Sequence, residues 1–295
     1  CLQGDGSSLI HGASKRPSSG SPTQRSVAPP EGAFGHRASM GSSVGCACSN
    51  SSSTDVGELT GKNGKYTFEN GATYSGEWMG SVKHGHGIQE WPDGGRYVGQ
   101  WVRDKAQGQG RYEHADGDVY DGDWFEDRAH GRGTYWHSDG STYQGQFVED
   151  QQEGDGVESW PDGAKFRGQY KAGLKHGRGL FCWADGSSYE GEFADNDLHG
   201  VGNYRWPGGR EHTGEWQRNK MHGRGTFRWS DGKVYEGEYR NDLKEGHGIF
   251  RWPDGRVFDG QWRNGNQHGI GIFTKPTGER RKGEWIDGER TKWLS

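Results

Sequence analysis

No stretch of this sequence approaches 18 consecutive apolar residues, so no segment of it reads as a membrane-spanning helix. Hydrophobic residues are only 28% of the 295, too few for a thick three-dimensional core in a chain of this length. The first 39 residues lack the apolar run of a secretory signal. Cysteine is scarce: four residues, three of them before position 60, offer no disulfide framework and point to a reduced, cytosolic chain. Excess positive charge is missing too. The net charge of −5 lies in the region after residue 59 and describes an acidic surface. Phosphate binding needs a basic one, so nucleic acid is not an expected partner. No nucleophile–base pair, phosphate loop or kinase signature occurs, so no catalytic residue and no cofactor is assigned.

What is present is glycine, 55 residues of it, most at a fixed spacing. One position recurs every 23 residues: Tyr74, Tyr97, Tyr120, Tyr143, Phe166, Tyr189, His212, Tyr235, Phe258 and Arg281. Two residues on, each copy has glycine, from Gly76 to Gly283. Two further on, each is aromatic: Trp78, Trp101, Trp124, Phe147, Tyr170, Phe193, Trp216, Tyr239, Trp262 and Trp285. A period of this length means stacked supersecondary units. Stacking produces an extended surface, not one converging cleft, which argues against an enzyme.

Within one copy, Tyr74, Gly76 and Trp78 alternate, which places them on one face of a strand. Gly85, Gly87, Gln89 and Trp91 alternate likewise, after a polar turn segment from Met79 to His84. Pro92-Asp93-Gly94 then forms a turn, because proline pre-sets φ and glycine accepts a positive one. Each repeat is therefore a β-hairpin joined edge to edge with the next. Glycines facing the aromatic side let each large ring lie flat over a neighbour, so one sheet buries rings without a second layer. Tyr and Trp bury roughly 150–250 Å² each, enough for a narrow continuous core. The opposite face carries Glu77, Gln100, Asp123 and their equivalents as a solvated ladder.

The expected fold is all-β: an elongated, single-layer, twisted antiparallel sheet of stacked hairpins. Nine full repeats at about 4.8 Å per strand extend on the order of 85–90 Å. A half-repeat at Gly64, Tyr66, Phe68 and Gly71 precedes them, and another ends near Trp293. The array occupies 60–295; residues 1–59, rich in Ser, Gly and Pro, are expected to be disordered.

Tyr189-Glu-Gly-Glu-Phe193 and His222-Gly-Arg-Gly-Thr-Phe227 resemble the MORN (Membrane Occupation and Recognition Nexus) repeat, and the resemblance recurs in every copy. It implies the same hairpin-built sheet. It also implies roles at membrane–cytoskeleton junctions and in ciliary or cortical structures, with self-association through array ends and contact with phosphoinositides. His212 and Arg281 depart from the leading aromatic, and Gly208 and Thr277 from the turn aspartate; looser packing is expected there.

The ring positions are the expected core: with the residues above, Trp91 completes the set. The ring face has a second reading as a groove for a peptide or helix. His84, His130, His176, His199, His222 and His268 repeat too far apart, about 9–10 Å, to share a metal, and are expected to cap loop backbone groups. Cys182 is expected on the polar face.

The chain begins with Cys1, which reads as a fragment or as translation past the true start. Met40-Gly41 with Ser42, Ser43 and Val44 resembles an N-myristoylation signal, and Cys46 and Cys48 stand beside it as palmitoylation candidates. One myristoyl chain binds membranes only marginally, and no Lys or Arg lies between Met40 and Gly61 to assist it. At the other end, Arg280, Arg281, Lys282, Arg290 and Lys292 form a candidate patch for an anionic ligand.

These features together read as a non-enzymatic scaffold that presents protein partners along a repeated surface, cytoplasmic and tethered to a membrane or to membrane–cytoskeleton junctions. Multivalent attachment would raise effective concentration, and an unpaired terminal strand would support a homodimer through array ends. Two alternatives stay open: a phospholipid-binding module, and the regulatory array of a larger enzyme whose catalytic domain this chain lacks.

Overall fold

A turn of only two residues closes each hairpin. In the computed structural model, which describes residues 64–294, β2 (Thr73–Met79) pairs with β3 (Val82–Glu90) and Met79 faces Val82 across Gly80-Ser81. The candidate start Met40, the acylation candidates Gly41, Cys46 and Cys48, and the segment 1–59 lie outside the described residues. Twenty-one strands, from β1 (Gly64–Thr67) to β21 (Glu289–Trp293), form one antiparallel sheet with no helix among the described residues. The expected all-β sheet of stacked hairpins is thus the observed fold. By contact density the described residues fall into two compact units, 64–161 and 162–294.

The polar segment expected as a turn from Met79 to His84 is mostly strand. Two-residue loops need positive φ at their central positions when the turn must match strand twist. Arg103 and Asp104 supply it at 49° and 68°, and Glu126 and Asp127 at 48° and 71°. The second turn residue also reaches the preceding repeat. Asp104 Oδ1 accepts the Lys83 N–H at 2.7 Å, and the Asp104 N–H donates to the Lys83 carbonyl at 3.0 Å. Asp127 with Ala106, Asn219 with Leu198 and Asp242 with Met221 repeat this pair of bonds.

Beyond the turn the ladder is interrupted. Trp78 faces Lys83 and Gly76 faces Gly87, so Glu77 alone stands opposite His84, Gly85 and His86, a β-bulge. Gly85 takes φ 65°, and a β-carbon there would lie 2.5 Å from Glu77 Oε2. The Glu77 carboxylate fills the bulge and accepts the His86 N–H at 2.9 Å. Gln100, Asp123, Gln169 and Glu215 do the same for the N–H groups of Gln109, Arg132, Arg178 and Arg224. The expected solvated ladder is thus also a row of plugs for backbone donors that the bulge would leave unpaired.

The rings lie where the glycines leave space. A β-carbon on Gly87 would sit 2.5 Å from Tyr74 Cζ, and the Tyr74 hydroxyl donates to the Glu77 carbonyl at 2.9 Å. Tyr74 meets the edge of Trp78 at 4.9 Å and of Trp101, in the next repeat, at 5.6 Å between centroids. Such T-shaped contacts favour the positive ring edge against the negative ring face. The Trp101 and Trp124 indoles donate to the Gly87 and Gly110 carbonyls at 3.2 and 2.8 Å, so their polar ends are satisfied inside the layer.

The looser packing expected at His212 is not what the structure has. His212 is 0% exposed and meets Trp216 and Tyr239 edge-on at 5.1 and 5.0 Å. The smaller imidazole keeps the ring lane because Gly225 still leaves it open. What it loses is polar: neither ring nitrogen has a hydrogen-bond partner, whereas Tyr189 and Tyr235 bond a carbonyl three residues on.

Candidate functional site

Two rows of rings run along the same side of the sheet. The inner row is the one read from the repeat. Tyr74, Tyr97, Tyr120, Tyr143, Phe166, Tyr189, Tyr235 and Phe258 are 0% exposed. Trp101, Trp124, Phe147, Tyr170, Phe193, Trp216, Tyr239, Trp262 and Trp285 are buried beside them. Trp78 is only half-buried, because just the short strand β1 lies beyond it.

Of the outer row only Trp91, buried against Tyr112 at 5.5 Å, is among the expected core positions. The row comes from the second strand of each hairpin and the residue two positions later, at the wide turn. In residues 162–294 it is an unbroken ladder. Phe181 stacks on Trp183 at 4.4 Å, and Trp183 on Tyr204 at 5.2 Å. Tyr204, Trp206, Phe227, Trp229, Phe250 and Trp252 continue at centroid spacings of 4.3 to 5.5 Å. Trp183, Trp206, Trp229 and Trp252 are all half-exposed. Alternation would have revealed this row, since these rings share a face with the glycines.

Residues 64–161 build the same row differently. Gln89 and Glu158 replace rings, and His114 and His137 replace tryptophans. The polar groups bond each other: Tyr135 Oη donates to Asp118 Oδ2 at 2.8 Å, His137 Nδ1 lies 3.5 Å from the same oxygen, and Lys83 Nζ donates to Gln89 Oε1 at 2.5 Å. Hydrogen bonds from Ser138 and Tyr135 hold the Asp118 carboxyl low against the opposing effect of its burial.

Lys244 places an ammonium among the rings of the ladder, as Lys83 does in the first unit, 3.9 Å over Trp101. Lys244 Nζ lies 4.6 Å from the Trp262 centroid, 5.0 Å from Phe250 and 5.4 Å from both Tyr235 and Trp229. Burial pushes its pKa down to about 8. Met221 holds the corresponding place one repeat earlier and is buried there.

The C-terminal basic residues do not form one free patch. Arg281 and Arg290 both lie over the Trp293 ring, at 4.7 and 4.2 Å, and Lys292 pairs with Glu284 at 2.8 Å. Arg280 and Lys282 are exposed. The six repeated histidines are strand residues, and the expected capping of a turn N–H is seen at His268. Its Nδ1 accepts the Asp287 N–H at 3.4 Å, while Nδ1 of His84 and of His222 has no hydrogen-bond partner. The two-residue turn draws these residues into the strand, away from the loop. Cys182 is exposed on the face opposite the rings.

Charge divides between the two units. Residues 64–161 hold eight Lys and Arg against eighteen Asp and Glu, a net −10; residues 162–295 hold 23 against 19, a net +4. The acidic surface expected for the whole array is therefore a property of the first unit, and the second is basic.

Comparisons with known proteins follow the same repeat. No curated protein matches the chain. Among solved structures, the TCP10 domain of Danio rerio CPAP in complex with a peptide of Danio rerio STIL is similar at 13% identity and a TM-score of 0.43. That match covers 78% of this chain and 97% of the other. The SAS-4 (dCPAP) TCP domain of Drosophila melanogaster, with a proline-rich motif of Ana2 (dSTIL), is similar at 11% identity and a TM-score of 0.34, over 53% and 85% of the two chains. Likeness of this degree carries no functional argument. The sequence model of the MORN repeat matches nine consecutive segments: 74–96, 97–119, 120–142, 143–165, 166–188, 189–209, 212–234, 235–255 and 258–280. With most of its length in these nine matches, the chain belongs to the MORN-repeat family.

Proposed function

We propose that this chain is a non-enzymatic scaffold that docks extended or helical segments of partner proteins along the outer ring ladder of residues 181–273. The observation that carries this reading is the row of half-exposed Trp183, Trp206, Trp229 and Trp252, joined by Tyr204, Phe227 and Phe250 into a continuous aromatic track. Large rigid aromatic side chains give contact area at low entropic cost, which is why they dominate binding hot spots. Strand-borne rings at a fixed repeat also favour multivalent attachment.

The test is affinity capture from the native cell with the full chain, read by quantitative mass spectrometry. Trp206→Ala with Trp229→Ala should deplete the captured proteins, while Val201→Ala with Thr226→Ala, on the opposite face, should not. Equal capture by all three proteins would sink the reading.

Tethering at the cytoplasmic face of a membrane, through acyl groups on Gly41 and on Cys46 or Cys48, belongs to the same proposal. Its support is the sequence alone, and N-terminal peptide mass spectrometry of the native protein tests it. An acylated end at Gly41 supports the tether; an unmodified end upstream of Met40 removes it. A direct contact with phospholipid is the second reading, favoured by the net +4 of residues 162–295. Salt-sensitive pelleting of the unlipidated protein with anionic vesicles would support it, and none at low salt would end it.

A further inference from the structure

The wide turns that follow the second strand of each hairpin line one edge of the sheet, and their charge reverses along the chain. The four turns 68–73, 90–96, 113–119 and 136–142 carry seven carboxylates and one guanidinium. The four turns 205–211, 228–234, 251–257 and 274–280 carry eight cations and four carboxylates. Pairing within the chain reduces each excess without cancelling it: Lys65 and Arg111 reach Glu90 and Glu113 at 3.4 and 3.0 Å, and Arg205 and Lys275 pair with Glu211 and Glu279 at 3.1 and 2.8 Å. Arg96 is the one cation of the acidic turns and lies 3.8 Å from Glu90 and 3.7 Å from Glu113, shared between them. On the basic side, Lys233 and Arg256 pair with Asp231 and Asp254 at 2.9 and 2.7 Å. Arg251 is exposed, and its neighbours on the two adjacent strands are Val234 and Val257.

We infer that the basic wide-turn edge of residues 205–280 docks on the acidic wide-turn edge of residues 68–142 in a second copy of this chain. Both edges are built by the same hairpin, so their charges recur at the same interval, about 9.6 Å for two strands. A cation on one edge that meets a carboxylate on the other is followed by another where both series continue, as Arg205, Arg228 and Arg251 do on one and Asp93, Asp116 and Asp139 on the other. Complementary potentials steer encounter and fix register, and exposed pairs of this kind are weakened by salt. Single exposed pairs contribute little, but a commensurate row acts as a network. The contact uses turn edges, leaving both the terminal strands and the ring ladder uncovered.

The test is sedimentation velocity of the full chain over a concentration series. Association should weaken about tenfold or more as salt rises from about 50 to about 500 mM. R228E/K233E/R251E/R256E makes both edges acidic, and E69K/E90K/E113K/D116K makes both basic. Each variant alone should stay monomeric, and an equimolar mixture should associate at least as tightly as the parent chain. Circular dichroism checks the fold; if the R228E/K233E/R251E/R256E variant unfolds, R228Q/R251Q takes its place and is read for weakened self-association alone. A parent chain monomeric at low salt overturns the inference. So does association that ignores salt, or variants that self-associate unchanged, or a mixture that stays apart.

Discussion

The ring of Tyr97 occupies the place where a β-carbon on Gly110 would stand, 2.5 Å from the ring Cζ. The sheet is thin because tyrosine and glycine share this volume. Gly110→Ala must therefore displace the ring or separate the strands, and should cost about 2–4 kcal/mol, as overpacking of a filled interior does. Urea unfolding followed by tryptophan emission measures it. Gly64→Ala, whose β-carbon would meet nothing within 4 Å, is the control and should be near neutral.

His212 gives the fold a dependence on acid. Burial lowers its pKa from 6.5 to about 4, so between those values the unfolded chain binds a proton that the folded chain refuses. Stability should be full above pH 6.5, fall as pH drops towards 4, and lose about 3 kcal/mol in all. His212→Tyr should remove that slope and restore the hydroxyl-to-carbonyl bond made by Tyr189 and Tyr235. Thermal unfolding of both proteins at pH 4.5 and 7.5 decides it. Equal pH dependence in the two would refute the assignment.

Lys244 holds a charge where its ring neighbours would accept a thioether. Its pKa is lowered from 10.5 to about 8, so below pH 8 the fold carries the cost of burying an ammonium. Stability should rise as pH climbs from 8 to 10.5, since the folded chain has already released the proton the unfolded chain still binds. Lys244→Met, copying Met221, should stabilise the protein at pH 7 by about 1–3 kcal/mol and remove its share of that rise, leaving the share of Lys83, which burial also lowers to about 8. A lower melting temperature for the variant would show that cation–π contact outweighs desolvation.

Gly265 interrupts the row of turn residues that bond the preceding repeat. Asp242 and Asn219 accept an N–H there through their side chains; Gly265, with φ 86°, has only its backbone bond to Lys244. A β-carbon at Gly265 would meet only Leu243 Cδ2, at an ordinary 3.8 Å. Asparagine tolerates a left-handed conformation, so Gly265→Asn should gain about 0.5–1.5 kcal/mol from the new bond. Hydrogen exchange at the Lys244 amide should slow in the variant; unchanged exchange would show that the bond does not form.

Strand alternation and the 23-residue period were legible because each depends on single residues at fixed positions, such as Gly76 and Trp78. Turn length was not. Arg103-Asp104 and Glu126-Asp127 lack the Asn-Gly signature of a two-residue loop, so the polar run around them reads as a longer one. The bulge was hidden for a related reason: Glu77 looks like any solvated carboxylate until the register places three residues opposite it. The outer ladder shares its face with the core, and only neighbouring strands decide which rings stay half-open. The charge division was written in the sequence but vanishes when all residues are summed into one figure.

The contacts that bury Tyr97 reach Trp101 in its own repeat and Trp124 in the next, each within 5.2 Å. An in-frame loss or duplication of 23 residues thus rejoins surfaces that already match. Length becomes a quantity that recombination can change in whole units without redesigning any interior, and the number of docking positions can evolve separately from their chemistry.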